Sequence, residues 1–498
     1  MNVPAAEAAR ADGDMAALAR GGRTNFIGFL LRLGARVPFL FIAGRLYGAD
    51  ELGRFAYALV AVELCGMLGS LGLKRGLAHR LSREEAHPAN VVADALLASL
   101  LAGLVLALAL RLFPMPMFPH GEYGMIDLLL PLAIAPLAVT EVALAALAYR
   151  FDVKTTVKAR AVVEPWTLSL AAAGLWFVVP DGGMELAYIL SILAAALTAL
   201  VPLVKSYGWP QGWRPGPARM IGMGREYLPL AVADVVEWGT RRLDIAILGL
   251  FASPAAVGVY WAAQQVASLP QKLKTSFEPI LGPVITRNLK EGNKGAIARQ
   301  LGQVGFWILA AQAGIALALA IPGEGVMGLV GPAFVGGTGA LAFLLAAEVA
   351  AARAVVSEAA LVYMARYRNL MFSLATIMLQ AVLTVAGMLL VEHLGLGQLY
   401  RAAAAAALML SLGFASLAKG WLAERLLGEK VINWRWPLII AAAPAVIVGV
   451  VATRYLPEWA ELAFGLPAIL FVYGAVVWRT GFGPEDRLLF KRNLGGKA

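Results

Sequence analysis

Apolar residues run along this chain in about fourteen stretches, each near the ~20 residues that a helix needs to cross a bilayer. They fall at 24–44, 56–73, 91–112, 126–148, 162–180, 184–204 and 226–250, then at 256–274, 302–321, 338–362, 369–391, 399–418, 437–453 and 462–478. The polar segments between them alternate in kind. One set carries Lys74, Arg75, Arg80 and Arg83, then Arg150, Lys154, Lys158 and Arg160, and later Arg366, Arg368, Lys419 and Arg425. The other set is short and offers little beyond Arg45, Arg54, Arg111 and Arg454. Cytoplasmic loops of membrane proteins carry the excess of Lys and Arg, so the pattern predicts a many-pass protein with both ends in the cytoplasm. One span more or fewer would flip half the loops and destroy the alternation. The expected fold class is an all-α integral membrane protein.

The spans divide by an internal repeat. Arg36 aligns with Arg241 at a constant shift, Gly44 with Gly249, Gly53 with Gly258, Phe55 with Tyr260 and Ala58 with Ala263. Further on, the eight residues from Glu141 align with the eight from Glu358. These pairs lie at spans one and seven and at spans four and ten. The repeat predicts two pseudo-symmetric six-helix bundles running in the same direction, an arrangement that places a substrate site where the repeats meet. The expected organisation is a cytoplasmic tail at 1–23, a six-helix bundle at 24–204, a linker at 205–225, a second bundle at 226–418, and two extra spans with a tail at 419–498. The inside loop at 275–300 has Gly-Pro breaks followed by a basic stretch. It suits a helix lying on the membrane surface.

Composition agrees. The 498 residues are 60% hydrophobic and only 15% charged, where a soluble chain would be nearer a quarter. The formal charge of +10 does not imply nucleic acid, because the cations sit in the loops that topology gives to the cytoplasm. The lone Cys65 allows neither an internal disulfide nor a cysteine metal cluster, and the four histidines are scattered. No phosphate-cradling glycine motif occurs in a strand–helix setting, so neither ATP nor any other cofactor is expected. Coupling to an H+ or Na+ gradient is the expected energy source.

A charged side chain at bilayer depth is costly unless it meets water or a partner, so the charges inside the spans are the candidate chemistry. Span one holds Arg32 and Arg36, four apart on one face, with Asn25 below them. Span seven holds Asp234, Glu237, Arg241 and Asp244 at spacings of three, four and three, with Arg242 beside them. Span ten carries Glu348, Arg353 and Glu358, span two Glu63, and span four Glu141. Two readings stay open for several of these. Glu237 and Arg241 suit a neutralising i,i+4 pair as well as a site, and Glu63 and Glu141 lie near enough to helix ends to snorkel. Arg32 and Arg36 have no acid in their own span, so something anionic is expected to meet them. The resulting expectation is a hydrated chamber with Arg32, Arg36 and Arg241 on its walls. Guanidinium groups donate in a fixed fork that suits phosphate oxygens.

The sequence resembles the polysaccharide transporters of the MOP flippase superfamily, the O-antigen or exopolysaccharide repeat-unit flippases. Lipid II flippases and MATE exporters are more distant relatives. The resemblance is carried by Asn25-x-x-Gly28 through Arg45-Leu-Tyr-Gly48-Ala-Asp-Glu-Leu-Gly53-Arg-Phe55, by Gly69-Ser-Leu-Gly72-Leu, and by Arg242-Leu-Asp244-Ile-Ala-Ile-Leu-Gly249 followed by Val257-Gly-Val-Tyr260. It implies two six-helix bundles, an alternating-access cycle and a polyprenyl-pyrophosphate-linked oligosaccharide as cargo, moved from the inner to the outer leaflet of a bacterial cytoplasmic membrane. It also implies contact of Arg32, Arg36 and Arg241 with the pyrophosphate. Arg242, Arg353 and Asn25 are added as substrate-binding candidates, and Asp234, Glu237, Asp244, Glu141, Glu348 and Glu358 as gating or coupling acids. Membrane lipids are expected partners, with a glycan polymerase or glycosyltransferases nearby.

Two rivals differ in class. A MATE-like exporter of small molecules would want acids where span one has arginines. A membrane polymerase or ligase would need acids or histidines on sizeable outside loops. Here only the loop at 113–125, with His120 and Glu122, fits that need.

Overall fold

The computed structural model describes residues 37–83, 87–271, 278–432, 434–483 and 486–489, and these are helical with no strand. They divide into two compact units, one ending at Trp261 and one beginning at Ala262.

In the first unit α1 is Gly48–Gly69, α2 Leu73–Arg83, α3 Pro88–Leu112, α4 Ile134–Tyr149, α5 Glu164–Trp176, α6 Gly183–Tyr207 and α7 Pro217–Phe251. Proline opens α3 and α7, where its missing N–H would be unpaired in any case. A short helix after α4 is capped by Asp152, whose carboxylate accepts from the Thr155 amide at 3.1 Å. The core gathers Leu73 and Leu77 of α2, Val92 of α3, Val142 and Leu147 of α4, and Tyr227 of α7. The unit boundary therefore differs from the expected linker at 205–225. The reason is that α7 packs on α1, α2 and α3, within the unit that precedes it. The stretch between α6 and α7 is itself tied down: buried Asp94 accepts from Trp213 Nε1 and from Arg219 Nε, each at 2.8 Å, and Asn90 bonds both backbone groups of Gln211 at 3.0 Å.

Helix α8, Pro254–Gln271, begins in this unit. A Cβ on Gly53 would overlap the Pro254 carbonyl and one on Gly258 the Ala49 carbonyl; each would also stand 2.8 Å from the other glycine's nitrogen. The two glycines aligned by the repeat thus face one another, backbone to backbone. Their aromatic companions Phe55 and Tyr260 are both fully buried. The Gly-Ser-Leu-Gly motif is the turn between α1 and α2. Leu71 and Gly72 there take φ of 54° and 71°, and a Cβ on Gly72 would overlap the Tyr227 carbonyl of α7.

The second unit holds α9 Lys294–Ala320, α10 Thr338–Met364, α11 Arg366–His393, α12 Tyr400–Leu427, α13 Pro437–Tyr455 and α14 Leu466–Val476. Its core includes Leu301, Phe306, Ile308, Val356, Leu438 and Tyr473. The helix Glu278–Lys290 carries the Gly-Pro breaks of the loop at 275–300 and contributes Leu281 and Ile285, 2% and 0% exposed, to this core. Its apolar residues are used in packing against α9 and α10.

Among the described residues ten helices are long and apolar enough to cross a membrane. They match ten of the expected spans. Most of span one lies outside the described residues. Span five is a helix of only 13 residues, Glu164–Trp176, preceded by a π-helical turn at Lys158–Val163. Span seven is α7, at 35 residues, whose charges interrupt its apolar run. Span eight is α8, diluted by Gln264 and Gln265. Outward faces are greasy: Leu104, Val105 and Leu108 of α3 are 48%, 67% and 58% exposed. A row of that kind fits hydrocarbon, not water.

Candidate functional site

The first unit contains a cavity of about 350 Å³ whose wall carries charge. Each wall helix contributes what its sequence places there. Helix α1 supplies Glu63, and α2 supplies Lys74, its second residue. Helix α4 supplies Glu141, the π-helical turn Arg160, and α5 its first residue, Glu164. Helix α7 supplies Asp234, Trp238, Arg241 and Arg242.

Most of these charges are engaged. Glu141 receives Lys74 at 2.9 Å and also Arg160. Arg160 bridges onward to Glu164 at 2.6 Å. Arg242 meets both oxygens of Glu63, at 3.2 Å and 3.4 Å, and Arg75 meets Asp234 at 2.7 Å. Glu141, Glu63, Arg160 and Arg242 keep 21–26% of their side-chain surface exposed, so these pairs are wetted and not sealed. The Trp238 indole N–H is buried with no acceptor and lies in the same wall.

Four carboxylates (Glu63, Glu141, Glu164, Asp234) stand against four cations (Lys74, Arg160, Arg241, Arg242), so the described wall is balanced. The sequence led to an expected surplus of cations, but Arg32, Arg36 and Asn25, which carried that surplus, lie outside the described residues. Of the span-seven stripe, Asp234 and Arg241 reach the wall. The side chain of Glu237 is outside the described set. Asp244 does not reach it: fully buried, it accepts from Tyr260 Oη at 2.6 Å and from the Ile245 amide at 2.9 Å. The cause is helical drift. A step of three falls short of a full turn by about 60°, so the last of four such positions has rotated off the face.

In the second unit, Arg353 of α10 meets Glu424 of α12 at 2.8 Å, and Glu358 receives Lys419 at 3.1 Å. Glu348 lies on α10 as well. The loop residue His120 is engaged by its Nε2 with the Gly249 carbonyl at 3.0 Å, and Met117 and Phe118 beside it are buried. The rest of that loop, Glu122 included, is largely exposed.

Sequence reasoning did not single out Lys74, Arg160 and Glu164. The first two look like ordinary loop cations. Only the i,i+4 spacing of Arg160 and Glu164 signalled a pair.

The fold defines the class. It is similar to that of the lipid II flippase MurJ in an inward closed conformation, at TM-score 0.71 and 10% identity, covering 91% of this chain and 98% of that one. It is also similar to a MATE-family multidrug resistance transporter of the MOP superfamily in its outward-facing conformation, at TM-score 0.57 and 13% identity over 84% and 96% of the two chains. The inward-facing form matches at 0.53 and 16% over 83% and 94%. These neighbours are flippases and transporters, not enzymes, and the chain is a multi-pass membrane protein with the MOP-superfamily fold. The family model described as "Polysaccharide biosynthesis protein" matches residues 42–299, and the chain belongs to that family. No curated protein matches the sequence.

Proposed function

We propose that the chain is a flippase that carries a polyprenyl-pyrophosphate-linked oligosaccharide from the cytoplasmic to the outer leaflet of a bacterial inner membrane by alternating access. The observation that carries this reading is the charged cavity in the first unit of a polysaccharide-biosynthesis family member. Arg160 and Arg242 in its wall are held by carboxylates that an anionic headgroup can replace. A pyrophosphate offers the guanidinium fork of Arg242 or Arg241 the same paired oxygens that Glu63 offers Arg242 now. Exchange of one anion for another avoids leaving a desolvated charge unpaired, which would cost several kcal/mol. The glycan would occupy the wetted cavity while the lipid tail stays in the bilayer.

In this reading Glu141, Asp234 and Glu63 are released when cargo binds. A freed carboxylate can take a proton or a sodium ion, which would couple the cycle to a gradient. A ligand drives a conformational change only through contacts that differ between states, and these pairs are such contacts. A glycan polymerase or glycosyltransferases would act on the same carrier.

The test uses purified protein in liposomes holding a lipid-linked oligosaccharide. Flipping measured by enzymatic access to the outer leaflet should be lost in Arg241→Ala, with insertion unchanged. Efflux of organic cations without glycolipid flipping would instead give the exporter reading.

A further inference from the structure

A second charged cluster lies apart from the cavity wall. Glu51 in the first turn of α1, Asp127 in the first turn of the 3-10 helix Asp127–Ala133, and Glu185 in the first turn of α6 come together in the first unit. One carboxylate oxygen from each lies within 4.8 Å of one from each of the others. All three residues are buried, at 8%, 6% and 1% exposure.

Their hydrogen bonding is uneven. Glu51 accepts from the Gly182 amide at 3.1 Å and from Arg54. Asp127 accepts from the Gly124 amide at 2.8 Å. Oε2 of Glu185 is buried and has no donor. The charges that act on Glu185 are those of Glu51 and Asp127, opposed by Arg54. Ionised together, the three carboxylates would outnumber the single guanidinium of Arg54, which Asp50 also meets at 3.8 Å. Helix N-termini offset part of this, each with about half a positive charge, but they give the Glu185 oxygen no partner. A buried anion without a donor is costly, and burial of several together is more so.

We propose that Glu51, Asp127 and Glu185 form a site for a hard divalent cation of the calcium type. Carboxylate oxygens without nitrogen or sulfur donors select ions of that class. Calcium binds oxygens at about 2.3–2.6 Å, so two of its ligands can stand as much as ~4.8 Å apart. The spread of these three oxygens falls inside that limit. Backbone carbonyls and water would complete the shell. Because the ligands come from the starts of three helices, the ion would pin those starts together. The site is separate from the cavity, and the inference stands whatever the cargo is.

The experiment uses the full chain in nanodiscs, stripped with EDTA. Calcium should raise the melting temperature saturably, by several degrees at millimolar concentration, and magnesium less. Terbium, as a luminescent stand-in for calcium, should bind at about one ion per chain. Glu185→Gln should abolish the terbium signal and the calcium shift; Asp127→Asn serves the same purpose should Glu185→Gln fail to insert. Absence of saturable terbium binding to the wild-type chain would overturn the site, as would binding that survives both substitutions. A third result would also overturn it: stabilisation by acid alone in EDTA, with no calcium effect. That would mean a proton shared among Glu51, Asp127 and Glu185, with Asp50, Arg54 and Tyr47 as the neighbouring titratable groups.

Discussion

Glu141 and Glu358 are aligned by the internal repeat, yet they live differently. Glu141 stands in the cavity wall at 21% side-chain exposure and binds two cations delivered by separate segments, Lys74 and Arg160. Glu358 is 45% exposed and meets one cation, Lys419, which is itself 7% exposed and also donates to Ser373 at 3.0 Å. In the first case the acid is the hub and the cations are its satellites. In the second the lysine is the buried member and the acid its exposed counterion. The aligned residue is the same while its electrostatic surroundings differ.

The largest effect should separate the two units by function. Arg241→Ala and Arg242→Ala should each lower flipping in liposomes at least tenfold, whereas Arg353→Ala, whose partner Glu424 lies in the second unit, should change it much less. Equal losses from all three would erase the contrast. Next comes the glycine contact. Gly258→Ala places a methyl group on the Ala49 carbonyl, and overpacking of that kind costs ~1–3 kcal/mol or more. Detergent extraction followed by thermal size-exclusion should show loss of the monodisperse peak, while Gly413→Ala, where the space is open, should not.

A smaller effect tests the aligned acids directly. Glu141→Gln should destabilise by ~1–2 kcal/mol, below the ~3–5 kcal/mol of a sealed pair because the site is wetted. Glu358→Gln leaves Lys419, which is 7% exposed, with Ser373 as its remaining partner, and should cost more, ~2–3 kcal/mol. Melting of the two variants side by side reads the difference, and a larger loss from Glu141→Gln would invert the comparison. The smallest effect compares the helix caps, one from each unit. Asp152→Ala and Asn293→Ala remove the acceptors for Thr155 and Ala296, and each should cost ~1 kcal/mol.

The helices were largely legible because hydropathy alone decides which segments can face lipid. The site was legible only in part. Arg241 and Asp234 stood out because charge inside an apolar run is conspicuous, and their spacing of seven keeps them on one face. Asp244 was read onto that face because a stripe of threes and fours looks straight in sequence and drifts on the helix. Lys74 and Arg160 were invisible as site residues, since a cation at a span boundary looks like any other cytoplasmic cation. Their role depends on a tertiary encounter with Glu141. Glu51, Asp127 and Glu185 lie 134 positions apart from first to last and share no local pattern, so only the folded chain brings them together.

The stretch from 208 to 216 has the composition of slack connecting rope, with glycines, prolines and tryptophans. Moored to Asp94 and Asn90, it behaves as a fitted strap. A fluorescent reporter or affinity tag spliced there would cut the strap and loosen the start of the long charged helix behind it. Engineers of this protein would do better to place their insertions elsewhere.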